Sequence, residues 1–167
     1  MKRILVIGCS GGGKSTLARA LGAQLDLPVI HLDQIWWTPG WVELGDEQFL
    51  PKLDEALAGE RWIIDGNYTK TFDRRMPCAD TIIWVDQPRG VCFRRALWRA
   101  VTQFGRARED VAPGCPERID PEFFRYVWTF KEKHDAKIED AIAKHGVHAA
   151  LVRLCSDTEI AAFLDSV

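Results

Sequence analysis

No apolar run in this sequence approaches the length of a membrane span, and the amino-terminal one, Ile4-Leu5-Val6-Ile7, is only four residues long. A secretory signal core takes about 7–15 such residues and a spanning helix about 20. The expectation is therefore a cytoplasmic protein with no membrane partner. No two cysteines have C-x-x-C spacing: Cys9, Cys78, Cys92, Cys115 and Cys155 are odd in number and scattered. That argues against a structural zinc site and against a disulfide framework. Neither sign of charge dominates. The net charge of −2 argues against a protein that coats nucleic acid through bulk charge. Internal repeats and low-complexity stretches are absent as well, and His31, His134, His145 and His148 show no ligand spacing, so no chemistry is assigned to them. What remains is a chain with 47% apolar and 28% charged residues over 167 positions, which reads as one soluble globular domain spanning residues 1–167.

Against that background one stretch stands out. Gly8 to Thr16 reads GCSGGGKST, with four residues between Gly8 and Gly13-Lys14-Ser15, the spacing G-x-x-x-x-G-K-[ST] of a phosphate-binding loop. Glycine at 11, 12 and 13 permits backbone angles closed to other residues, so that successive N–H groups turn inward on an anion. Lys14 reaches the terminal phosphates as a compact charge, and the Ser15 hydroxyl is a ligand for Mg²⁺. The flanks agree: an apolar strand precedes the loop, and Leu17, Ala18, Leu21 and Leu25 follow at helical spacing. A strand, a glycine loop and a helix start together favour negative charge, through unpaired N–H groups and the helix dipole. Gly8, Ser10, Gly11, Gly12, Gly13, Lys14, Ser15 and Thr16 are thus expected to hold a nucleotide, ATP with Mg²⁺.

Further strands are predicted at Val29–Asp33, Arg61–Asp65, Thr81–Asp86 and Val147–Leu154, mostly apolar rather than alternating. Such runs, separated by helical stretches, indicate a parallel α/β sheet buried on both faces. A helix is expected over Asp46–Ala58, with Phe49, Leu50, Leu53 and Leu57 on one face and Pro51 near its start. Between them lies an irregular stretch from Gln34 to Gly45 holding Trp36, Trp37 and Trp41; these indoles either pack under the loop or line a pocket. Three predicted strands end in an aspartate, Asp33, Asp65 and Asp86. Because ligands bind beyond the carboxyl ends of parallel strands, all three are expected to converge on the phosphate loop.

The segment from Pro88 to Lys133 carries ten basic residues against six acidic ones, inside an acidic protein. Arg95 and Arg99 are four apart and share a helix face, with Arg94 beside them. Arginine suits phosphate because its planar fork donates two parallel bonds. Gly105–Pro116 reads as a mobile loop, so a basic lid over about 88–120 is expected to close over the triphosphate and exclude water. Asp120-Pro121-Glu122 starts a helix whose Phe123, Phe124, Val127, Trp128, Phe130 and Ile138 read as core. Ser156-Asp157-Thr158-Glu159 is a capping box opening a last helix that packs Ile160, Phe163 and Leu164 on the sheet.

Taken together, GCSGGGKSTLARAL, VIHLDQIWWTPGW, WIIDGNY, TIIWVDQPR and RAREDVAPGCPER resemble the adenylate-kinase-like P-loop kinases, and within them the small bacterial DNA topology modulation proteins of the FlaR type. The resemblance covers most of the chain. It implies the P-loop NTPase fold: a five-stranded parallel sheet of order 2-3-1-4-5, helices on both faces, an acceptor-binding insert over about 34–60 and an arginine lid. Asp65-Gly66 match the aspartate-glycine pair of nucleoside monophosphate kinases. Arg95 and Arg99 match lid arginines, with Arg94 and Arg108 as further phosphate contacts. The insert departs from adenylate kinases in having Lys52 as its single basic residue, and His31-Leu32-Asp33 resembles the second-strand ending of small-metabolite kinases. The function implied is transfer of the ATP γ-phosphate to a small acceptor: a nucleoside monophosphate, a nucleoside or another hydroxyl metabolite. Lys14, Asp33, Asp65, Arg95 and Arg99 are the catalytic candidates, and Ser15 and Asp65 the metal candidates, with Asp86 as an alternative carboxylate. A nucleotide-dependent DNA-associated regulator and a bare NTPase switch are the rival expectations, in a monomer or homodimer.

Overall fold

The computed structural model describes all 167 residues. Five parallel strands form its centre: β1 (Arg3–Gly8), β2 (Val29–His31), β5 (Trp62–Asp65), β6 (Thr81–Val85) and β7 (Ala150–Leu154), in the spatial order β2-β5-β1-β6-β7. Counting only these five, that is the expected order 2-3-1-4-5. Their apolar character follows from two-sided burial. Leu5, Ile7, Trp62, Ile64, Ile82 and Trp84 point to one face, whereas Ile4, Val6, Ile63, Ile83 and Val85 point to the other. A strand covered on both sides has no reason to alternate with polar residues.

The first face is covered by α3 (Asp46–Leu57), α4 (Phe72–Arg75), α5 (Arg89–Thr102) and α6 (Pro121–His145), through Phe49, Leu53, Phe72, Cys92, Ala96, Val127 and Phe130. The second is covered by α1 (Lys14–Leu25) and α7 (Asp157–Asp165), with Leu17, Ala18 and Leu21 buried and Ile160, Phe163 and Leu164 packed against them. Helix starts obey their chemistry. Asp120 accepts from the N–H groups of Glu122 and Phe123 at 3.0 and 3.2 Å, and Ser156 accepts from Glu159 at 3.2 Å. Pro51 lies inside α3 on its exposed side, so only one outward carbonyl loses its donor and the helix runs on.

Several expectations are corrected. The second strand stops at His31, and Asp33 belongs to the first turn of a short helix, α2 (Leu32–Trp36). The stretch after it is a two-stranded antiparallel hairpin, β3 (Trp37–Thr38) and β4 (Val42–Glu43), turning at Pro39-Gly40. Trp128 is 46% exposed rather than core, because it lies one position beyond the buried Val127 on α6. The segment Gly105–Pro116 is docked rather than free. Val111, Ala112 and Cys115 form a small core of their own with Trp37 and Trp41 packed against it. Gly40 N–H donates to Gly114 at 2.8 Å, and the Trp41 indole donates to Pro116 at 2.8 Å. The lid segment and the hairpin of the insert are thus latched together.

Candidate active site

The phosphate loop connects β1 to α1 and its backbone is set by its neighbours. Gly8 and Gly11 have φ of 134° and 79°. A Cβ at either would meet a backbone oxygen, of Val85 at 2.2 Å or of Cys92 at 2.3 Å. Only glycine fits there, for want of room as well as for want of a Cβ penalty. Lys14 Nζ donates to the Cys9 carbonyl at 3.0 Å, across the mouth of the loop. The loop opens into one large cavity of about 1320 Å³. Gly8, Ser10, Gly11, Gly12, Gly13, Lys14, Ser15, Thr16, Asp33, Asp65, Arg95, Arg99 and Arg108 all border it.

Two expected members do not. Asp86 points to the other side of β6, where it accepts from Lys131 and from Arg153 (2.7 Å), a buried carboxylate neutralised by two cations. It does not border the cavity. Arg94 is exposed and borders no part of the cavity, since one residue along a helix turns the side chain by about 100° from Arg95.

The part of the cavity beyond β2 and β5 is organised around Asp65 and Asp33. The register of β2 against β5 places His31 beside Asp65, and His31 Nδ1 lies 2.9 Å from Asp65 Oδ2. The second oxygen, Asp65 Oδ1, is buried and has no hydrogen-bond partner. A buried, unpartnered carboxylate oxygen facing a phosphate loop that offers a serine hydroxyl is a fitting donor set for a hard cation. No cluster of three or more His, Cys, Asp or Glu side chains has metal-holding geometry, so phosphate oxygens and water would complete the shell. Asp33 Oδ1 accepts from the Tyr68 hydroxyl at 2.8 Å. Burial raises the Asp33 carboxyl above its ordinary range; the Tyr68 bond opposes that shift without cancelling it.

Tyr68 is held in turn by an element that no sequence motif announces. Arg75 is fully buried and has no carboxylate partner. It donates to the carbonyls of Gly66 (2.9 Å), Asn67 and Tyr68 (3.2 Å) and to Thr71 Oγ1 (2.9 Å). Burial pushes its pKa down to about 9. This guanidinium secures the Asp65–Tyr68 turn, in which Tyr68 has an uncommon φ of 27° and Asn67 Oδ1 accepts from Gly8 N–H at 3.3 Å. One buried cation therefore fixes the turn that joins the phosphate loop, through Asn67, to Asp33, through Tyr68.

The lid contributes carboxylates as well as arginines. Arg99 Nε lies 2.9 Å from Glu117, while Arg108 contacts Asp110 at 3.1 Å and Glu117 at 3.2 Å. Asp110 and Glu117 are both buried. Burial pushes the Asp110 carboxyl up, but the Arg108 cation and the Ser15 hydroxyl outweigh it and hold the group below its usual range. Arg99 is held below its ordinary value by burial and by Arg108. Arg95 points instead to Asp157 at the start of α7. Reading the lid for its cations alone missed Asp110 and Glu117, although both stand in the same segment. His31 was missed because a lone histidine carries no spacing signal.

Comparison with known proteins places this architecture. A shikimate kinase from Acinetobacter baumannii in complex with shikimate superposes with a TM-score of 0.60 at 14% identity, over 99% of this chain and 90% of that one. A shikimate kinase from Bacteroides thetaiotaomicron gives 0.54 at 19%, over 99% and 95%. Deoxyadenosine kinase from M. mycoides with bound dATP gives 0.56 at 13%, over 98% and 97%. The chain shares its α/β fold with these kinases. In sequence, the chain is 31% identical over 94 residues to the uncharacterized AAA domain-containing protein ycf46 of Gracilaria tenuistipitata var. liui, a match covering 56% of this chain and 15% of that protein. No family model matches.

Proposed function

We propose that this protein is an ATP-dependent kinase that phosphorylates a hydroxyl of a small acceptor. The observation that carries the reading is a single cavity bordered at one end by the phosphate loop and at the other by Asp33 and Asp65, with Arg99 and Arg108 on its wall. In this reading Lys14 leaves the Cys9 carbonyl for the β- and γ-phosphates, and the loop amides cradle them. Arg99 and Arg108 exchange their carboxylates for the oxygens of the phosphoryl group in flight. Arginines so placed supply on the order of a thousandfold in rate. Asp33 accepts a hydrogen bond from the acceptor hydroxyl and aligns it. The new phosphorus–oxygen bond forms as the bond to the ADP leaving oxygen breaks, and the hydroxyl proton passes to Asp33. Ser15 and Asp65 would hold Mg²⁺, which neutralises charge between the β- and γ-phosphates.

Transfer of label from γ-labelled ATP to a panel of nucleosides, nucleotides and sugars tests this. Transfer that is lost in Lys14→Ala and in Asp33→Asn supports it. Hydrolysis with no transfer to any compound favours the NTPase switch instead. A DNA-directed role is a second reading, resting on the exposed aromatic and basic residues of α5 and the segment after it: Trp98 on the helix with Arg94, and Phe104 past its end with Arg106, the two aromatics being 70% and 64% exposed. DNA retention that falls with salt and survives Lys14→Ala would carry it.

A further inference from the structure

We infer that the acceptor carries no phosphate or carboxylate group: the acceptor end of the cavity takes an uncharged or amine-bearing hydroxyl compound with a flat apolar face. The inference rests on the kinase reading and concerns which molecule that kinase phosphorylates.

Fixed charge is the first argument. The walls contributed by β2, α2, the hairpin and the turn after β5 bring Asp33, Glu43 and Asp65 to the cavity, and no lysine or arginine. Lys70, just after the turn, and Lys52, on the neighbouring α3, are exposed and do not border it. Every cation on the wall comes from elsewhere, and most are already engaged. Lys14 and Arg19 belong to the phosphate loop and α1, and Arg95 is turned to Asp157. Arg99 and Arg108 are held by Glu117 and Asp110. When those two arginines leave their carboxylates they serve the transferred phosphate, so neither is left for the acceptor. Arg118 is paired with Asp120 at 2.9 Å with its guanidinium 5.8 Å from the Trp41 ring, which it covers from the lid side, and Arg106, also from the lid, is exposed at the cavity rim.

The carboxylates themselves are the second argument. The partner of Asp33 is the neutral Tyr68 hydroxyl, and the side-chain polar partner of Asp65 is His31, with no lysine or arginine paired to either carboxylate. An anionic acceptor seated against them would bring a like charge into a partly desolvated site, where such repulsion is strong. A hydroxyl, in contrast, donates to Asp33, and an ammonium gains from Asp33 and Glu43 together.

Aromatic lining is the third. Trp37, Trp41, Tyr68, Phe123 and Tyr126 border the same cavity, and Trp37 and Trp41 meet edge to face at 5.5 Å. Rings of this kind offer flat apolar faces to a base or a sugar and attract cations through their π-electrons.

The test uses matched pairs in the presence of Mg²⁺ and a saturating non-hydrolysable ATP analogue: cytidine against CMP, deoxyadenosine against dAMP, and glucosamine against glucose 6-phosphate, with shikimate as a carboxylate. Binding is read by calorimetry and by shift of the melting point. At least one uncharged or amine-bearing member should bind, tenfold or more tightly than its anionic counterpart, and Glu43→Gln should narrow the ratio for glucosamine. An anionic compound that binds more tightly than its partner overturns the inference. So does a panel in which no uncharged or amine-bearing compound binds. Failure of the kinase reading would look different: the uncharged compounds would bind, yet no label would pass to them from γ-labelled ATP.

Discussion

Glu117→Gln should tighten ATP binding, an outcome opposite to the usual effect of changing a buried residue in a nucleotide site. Glu117 forms ion pairs with Arg99 at 2.9 Å and Arg108 at 3.2 Å, and its side chain is only 7% exposed. In the kinase reading both guanidiniums must exchange it for phosphate oxygens. The glutamate therefore competes with the nucleotide for the same donors and adds a like charge near the polyphosphate. Hydrogen bonds to charged groups contribute about 1.5–3 kcal/mol each. The arginines would make such bonds to phosphate in exchange for their ion pairs with Glu117, so the net gain on removing the competing charge is on the order of one such bond. At about 1.4 kcal/mol per factor of ten, Kd for ATP should fall roughly tenfold to a hundredfold. Glutamine keeps the size and one acceptor oxygen, which limits damage to the lid. Calorimetric titration with a non-hydrolysable analogue measures the effect, with Arg99→Met as the comparison expected to weaken binding. An unchanged or weaker affinity in Glu117→Gln would show that the carboxylate holds the arginines in place for phosphate, and the competition argument would be wrong.

Asp33→Asn should abolish transfer while stabilising the fold near neutral pH. The folded protein holds the Asp33 carboxyl above its ordinary value because burial penalises the charge, so it binds the proton more readily than the unfolded chain. Stability then falls as pH rises from about 4, the ordinary carboxylate value, through the elevated one. The gap in melting point between variant and wild type should be small at acid pH and widen toward neutrality; a constant gap in scanning calorimetry argues against it. The acid limb of transfer activity should also lie above the ordinary carboxylate range. Arg75→Met strips donors from the carbonyls of Gly66, Asn67 and Tyr68. Each buried acceptor left bare costs about 1–3 kcal/mol, so urea unfolding should register a loss above about 3 kcal/mol. Arg75→Lys, which lacks the planar fork, should recover only part of it.

The phosphate loop was fully legible before any coordinates, because its chemistry is local: glycines, a lysine and a serine at fixed spacing act on one another within nine residues. A parallel sheet followed from apolar runs joined by helical crossovers, whereas the order of its five strands was implied by the resemblance to P-loop kinases and not by the runs themselves. Contacts between distant segments were another matter. The partner of Asp65 is set by the register of β2 on β5, and the exclusion of Asp86 by Lys131 and Arg153 reaching it from α6 and β7. A buried arginine capping a turn, and lid carboxylates that occupy the lid's own arginines, leave no periodicity in the sequence. Which residue types were present was written in the chain; which charge faces which was decided only when the sheet, insert and lid closed on one another, since pairing of charges depends on distance in space and not on spacing in sequence.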